Sequence, residues 1–235
     1  MANPTAYGVD IASFQGAPDW EKVKAHGFIF AYVKTTEFPH YVNPLAMEQR
    51  VSAFKAGLAV GNYCYAQARL GRGVDQAAFF LAKSTIEGWH LIPFLDVEES
   101  GSEGAKPSEI EQFCVDWANT VCAALKIKRV MLYTDQNMLR NRIKVTKRLQ
   151  QLFVLDLADW TLGPPPKLRG WDIVCQQYDT SRGVPGIVGP VDKDRLYVPL
   201  DSLKIEHNRT GSIPPPVCSP TNTRPAILGR VLGRE

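Results

Sequence analysis

Short apolar runs alternate with helical stretches along this chain, and most of the runs end at or beside polar groups. This alternation limits the possible folds most. Runs at residues 7–10, 28–34, 58–65, 91–100, 129–134, 153–160, 172–178 and 191–198 read as strands. Several are almost continuously apolar, as expected of strands covered on both faces in a parallel sheet. Helical patterns fall between the first six, near residues 19–26, 44–55, 75–87, from 107 onward and 137–150. In the fourth, Ile110, Phe113, Cys114, Trp117, Val121 and Leu125 recur at helical spacing behind Pro107, a residue suited to a first turn. The last two connections, 163–170 and 179–190, are rich in Pro and Gly and read as loops. Eight strands with helices between the first six predict an α/β fold, a TIM-like barrel whose last helices are replaced by loops.

Barrels of this kind place their sites at the C-terminal ends of the strands. The ends therefore nominate the site residues: Asp10; Lys34 and Glu37; Tyr63 and Tyr65; Asp96 and Glu98; Tyr133; Asp159 and Trp160; Gln177 and Tyr178; Asp192 and Asp194. The run at 91–100 carries most weight. Side chains two apart on a strand share a face, so Asp96 and Glu98 point one way and Glu99 the other. Crowded, buried carboxyls raise one another's pKa, and an acid held protonated beside a base is the working pair of a glycosidase. Aromatic faces beside such acids suit sugar rings. The bland readings are a solvated acidic loop for Asp96 and Glu98, turn chemistry for Asp10 and Asp192, and barrel filling for the tyrosines.

Composition removes other classes. The chain has 235 residues and a net charge of +3, too little to argue for nucleic acid. No apolar run approaches the roughly 20 residues of a membrane span. The N-terminal residues lack the basic and apolar regions of a secretory leader, which predicts a cytoplasmic product unless a leader was trimmed. Five cysteines, Cys64, Cys114, Cys122, Cys175 and Cys218, show no paired metal spacing. Cys114 and Cys122 lie about 12 Å apart on one helix, beyond disulfide reach. They read as buried apolar groups, and no metal or cofactor is expected. Four scattered histidines, His26, His40, His90 and His207, argue against a barrel metallohydrolase. Residues 1–205 are expected to form the catalytic barrel. Residues 206–235, rich in Pro and polar groups, read as a tail or linker.

Six segments in order resemble the Chalaropsis-type lysozymes, glycoside hydrolase family 25. They are residues 8–15 (GVDIASFQ), 30–37 (FAYVKTTE), 59–65 (AVGNYCY), 93–99 (PFLDVEE), 177–179 (QYD) and 186–192 (GIVGPVD). The resemblance implies a muramidase that cuts the β-1,4 bond between N-acetylmuramic acid and N-acetylglucosamine in bacterial peptidoglycan. It implies Glu98 as the catalytic acid, Asp96 as its partner and Asp10 and Asp192 as flanking acids. Retention of configuration follows from it too, with the substrate's 2-acetamido group as nucleophile and Asp96 orienting it. Lys34, Glu37, Tyr63, Tyr65, Tyr133, Trp160, Gln177 and Tyr178 are the expected substrate contacts. The chain departs from the family at Cys64, Phe38 and Gln176, where His, Gly and Trp are usual, which bears on fine subsite preference. A monomer acting on glycan strands, without nucleic acid or membrane insertion, is expected, in the manner of a phage endolysin released to the wall. The competing reading is a sugar-binding barrel without catalysis.

Overall fold

The computed structural model describes residues 3–84, 91–161, 163–180 and 183–205. Its strands are β1 (Ala6–Ile11), β2 (Phe28–Glu37), β3 (Tyr41–Val42), β4 (Ala59–Tyr65), β5 (Phe94–Asp96), β6 (Val130–Asp135), β7 (Phe153–Ala158), β8 (Ile173–Asp179) and β9 (Asp192–Leu196). They form one sheet in the order β1-β9-β8-β7-β6-β5-β4-β2-β3, and β1 also pairs with β2. That pairing closes an eight-stranded barrel, with the two-residue β3 hanging from the end of β2. The expected TIM-like barrel is therefore present. The tail expected at 206–235 lies outside the described residues.

The helices are α1 (Trp20–Ala25), α2 (Ala46–Lys55), α3 (Gly73–Lys83), α4 (Glu99–Ser102), α5 (Pro107–Leu125) and α6 (Lys147–Leu152). Asp19 caps α1 by accepting from the Lys22 amide at 3.2 Å, and Pro107 opens α5. The continuous helix expected at 137–150 is two pieces instead. A π-helical turn, Met138–Arg142, ends at extended Ile143, and α6 starts anew behind Thr146, whose hydroxyl accepts from the Leu149 amide. β-branched Ile143, Val145 and Thr146 favour the break, and Thr146 favours a cap over a helix interior. No helix follows β7 or β8 among the described residues. Nor is any helix of those residues long and apolar enough to cross a membrane.

Strand alternation sorts the side chains into layers. Outward residues such as Leu95, Leu132, Leu155 and Cys64 pack under α3 and α5, while Val9, Val33 and Val60 pack under α1 and α2. Inward residues, among them Phe30, Tyr32, Phe94, Met131 and Leu196, fill the barrel, joined at its base by Leu91 and Leu203. Glycine makes room where the barrel is tightest: a Cβ on Gly61 would lie 2.1 Å from the Tyr32 ring. Cys64, Cys114, Cys122 and Cys175 are buried free thiols.

Two departures from the predicted pattern shape the site. β9 runs antiparallel to both β1 and β8. The chain leaves β8 at the upper rim, crosses by a loop and re-enters from above, so Asp192 opens its strand instead of closing it. Also, the fourth parallel run is a strand only over Phe94–Asp96. Glu98, still extended at φ −122°, ψ 167°, precedes the single turn α4.

Candidate active site

The upper end of the barrel holds a cavity of about 160 Å³ lined by Asp10, Lys34, Tyr63, Tyr65, Phe94, Asp96, Glu98, Tyr133, Gln177 and Asp192. Nine of these ten are strand-end residues named from the sequence. Phe94 is the addition. It lies two residues before Asp96 and so on the same face, a parity that was readable in advance. Its ring stacks on Tyr63 at 4.5 Å and 10°. Tyr133 leans on the other side at 5.9 Å.

β2 carries the cation of the site through an irregularity. Its register with β4 slips between Lys34 and Thr36, so one residue is bulged. In a regular strand, side chains three apart face opposite ways; a bulge reverses that parity. Lys34 Nζ and Glu37 Oε2 consequently meet at 2.8 Å. Gln67 Nε2 donates to the other Glu37 oxygen at 2.7 Å. Lys34 Nζ also sits 4.5 Å from the centre of the Tyr65 ring. Glu37 thus holds Lys34 from behind and does not line the cavity itself.

β8 contributes a fixed amide. Gln177 Oε1 accepts from Tyr133 Oη at 2.9 Å and Trp160 Nε1 at 3.1 Å, which turns its Nε2 to donate to Asp10 Oδ2 at 3.2 Å. Trp160, largely exposed, walls an adjoining cleft of about 620 Å³ that shares Glu98 and Tyr133 with the central cavity. Asp159 lines that cleft too. Tyr178 is not brought to the site. It lies on the outer face of β8, its ring 4.9 Å from the Arg195 guanidinium carbon and edge-on to Tyr7. The neighbouring Gln177 faces in, so alternation sends Tyr178 out. Asp194 lies deeper, two residues down β9 from Asp192. Glu99 turns out of the central cavity to the edge of the adjoining cleft, where it pairs with Arg142 at 2.8 Å. The unusual Cys64 also faces outward, into the helical layer.

The electrostatics follow from crowding acids in a closed space. Burial first, and then Glu98 and Asp10, push the Asp96 carboxyl well above its ordinary range, against the pull of Lys34. One of its oxygens, Oδ1, is buried without a hydrogen-bond partner. Asp10 is raised by burial and by Asp192, and Gln177 offsets part of this. Asp192 is pushed up to about 6, mainly by burial and then by Glu98. Glu98 is raised by burial, while a hydrogen bond from Tyr65 Oη at 3.4 Å and the charge of Lys34 pull the other way. Tyr65 Oη is also hydrogen-bonded to Ser100 Oγ. Ser100 carried no signal in the sequence, because its role depends on the turn after β5.

A barrel whose upper rim gathers four carboxyl groups, one lysine and an aromatic wall belongs among the barrel glycoside hydrolases. The comparison with known families agrees: residues 9–187 match the family described as glycosyl hydrolases family 25, and the chain belongs to that family. It is 25% identical over 198 residues to Lysozyme M1 of Streptomyces globisporus, covering 80% of this chain and 67% of that one. To the autolytic lysozyme of Clostridium acetobutylicum it is 27% identical over 189 residues, and it spans only 55% of that protein's length. The fold is that of the bacterial lysozyme from Streptomyces coelicolor (TM-score 0.76, 24% identity, 84% of this chain and 94% of that one). A family 25 lysozyme from Aspergillus fumigatus superposes with a TM-score of 0.73 at 25% identity, over 84% and 96% of the two chains.

Proposed function

We propose that the protein is an N-acetylmuramidase, hydrolysing the β-1,4 bond between N-acetylmuramic acid and N-acetylglucosamine in peptidoglycan. The observation that carries this is the placing of Asp96 and Glu98 on one cavity floor, where burial favours a protonated Glu98 at the cleft. Glu98 gives its proton to the glycosidic oxygen as the C–O bond breaks. The carbonyl oxygen of the sugar's own 2-acetamido group closes on the anomeric carbon, and Asp96 accepts from the acetamido N–H. Asp96 Oδ1, buried and without a partner, is suited to that task. Water then opens the cyclic intermediate, returning the proton to Glu98 and retaining configuration. Asp10 and Asp192 flank the reacting centre. Lys34, Tyr63, Tyr65 and Tyr133 hold the sugar, and Trp160 extends the contact into the adjoining cleft. On this reading the protein acts as a monomer on glycan strands.

Glu98→Gln should lower wall lysis by about 10²–10⁴-fold with an unchanged circular dichroism spectrum. Undiminished clearing of peptidoglycan by that variant would refute the assignment. Mass spectrometry of the digest separates the expected muramidase products from those of a glucosaminidase or an amidase.

A further inference from the structure

Three side chains that the proposed reaction does not use meet inside the barrel, one layer below the catalytic floor. Asp156, Cys175 and Asp194 come from the adjacent strands β7, β8 and β9. One donor atom from each lies within 4.8 Å of the others. They are 2%, 0% and 2% exposed. The strand register fixes their depth: Asp10 faces Asp192, and Gly8, two residues lower on β1, faces Asp194. A second observation is independent of this clustering. Asp156 Oδ1 and Asp194 Oδ1 are both buried without any hydrogen-bond partner. Native proteins leave only a few such atoms per hundred residues, and here two of them are carboxylate oxygens beside the same thiol.

We propose that Asp156, Cys175 and Asp194 bind one thiophilic divalent cation of the zinc class inside the barrel, three protein donors leaving the fourth tetrahedral position to a water. The donor set selects the ion. A thiolate with two carboxylates suits a borderline-soft cation, whereas calcium and magnesium need six or more oxygen donors, which this apolar layer does not offer. Bond lengths of about 2.3 Å to sulfur and 2.0–2.2 Å to oxygen bring tetrahedral donors about 3.5 Å apart, so modest side-chain rotation closes the trio on the ion. Binding releases the thiol proton and the protons held by the carboxyl groups; a dication then replaces them among three anionic donors. The ion joins the last parallel strands to the antiparallel β9 that completes the barrel. It lies beneath Asp10 and does not touch substrate.

The test is refolding of the full chain with and without zinc, or cobalt as a spectroscopic probe, followed by metal analysis. The expected result is one zinc per chain. At a hundredfold excess over the dissociation constant, Tm should rise by about 5–10 °C. The cobalt form should show a thiolate charge-transfer band in the near ultraviolet. Cys175→Ser should remove the band, and Asp194→Asn should weaken metal binding at least a hundredfold. Wild-type protein that takes up no stoichiometric metal overturns the proposal. So does full retention of metal by both variants. If a variant fails to fold, the wild-type cobalt spectrum decides, and absence of the thiolate band counts against the site. A trio that merely shares protons would show no metal, together with a raised Tm for Asp194→Asn. None of these readouts depends on lysis, so they stand apart from the muramidase reading.

Discussion

Glu98 and Asp96 sit two residues apart, but Asp96 is buried and Glu98 only half-buried, and their settings differ. Glu98 is touched by the Tyr65 hydroxyl and lies within the field of Lys34, both of which favour its charged form. Burial still wins, so the acid form persists above the ordinary glutamate range. If Glu98 is the proton donor proposed above, kcat/KM should fall along an alkaline limb as pH rises through that raised pKa. Tyr65→Phe removes a hydrogen bond to the carboxylate. The limb should move to higher pH while kcat drops several-fold, as a pH–rate series on soluble wall fragments would show. Asp96 makes a complementary prediction about stability. Its folded pKa is raised, so below the unfolded value of about 3.9 both states are protonated and no penalty exists. Above it, the buried carboxylate increasingly costs stability. Asp96→Asn should therefore raise Tm at pH 7 and leave it unchanged near pH 3, by calorimetry, while lysis falls.

Among the elements, the packing of α3 on α5 is held by closeness of backbones. A Cβ on Gly73 would come within 2.0 Å of the Phe113 carbonyl oxygen and 2.9 Å of the Trp117 amide nitrogen. Neither can move without bending α5. Gly73→Ala should cost about 1–3 kcal/mol, read as a lower urea midpoint. The bulge in β2 illustrates the opposite relation between element and site. One extra residue near Thr35 turns Lys34 and Glu37 toward each other, and so places a cation at the cleft. The helical stripe of α5 was legible because its period is local. The break at Ile143 was less so, since a run of basic residues continues on both sides of it.

At the scale of the whole molecule, the described residues form a closed barrel with the candidate site at one end and a seal at the other. Leu203, 3% exposed, packs with Leu91 and Leu196 at the base, and its carbonyl accepts from the Ile92 amide at 2.8 Å. Leu203→Ala should destabilise the fold by about 2–5 kcal/mol in equilibrium denaturation. Activity per folded molecule should be unchanged, because the substitution lies at the far end from Glu98.

The sequence by itself determined the eight strands of the barrel, though not the two-residue β3, the absence of helices after β7 and β8 among the described residues, and most of the acids and aromatics at the upper rim. These follow from local rules: a period of two in strands, a period near four in helices, and the abrupt end of an apolar run in a polar group. Only the tertiary structure decided the direction of β9, the outward turn of Tyr178, the depth of Asp194 and its meeting with Asp156 and Cys175. Those depend on hydrogen-bond register between segments far apart in the chain. A shift of one residue in that register exchanges the inner and outer faces, and no local pattern records it.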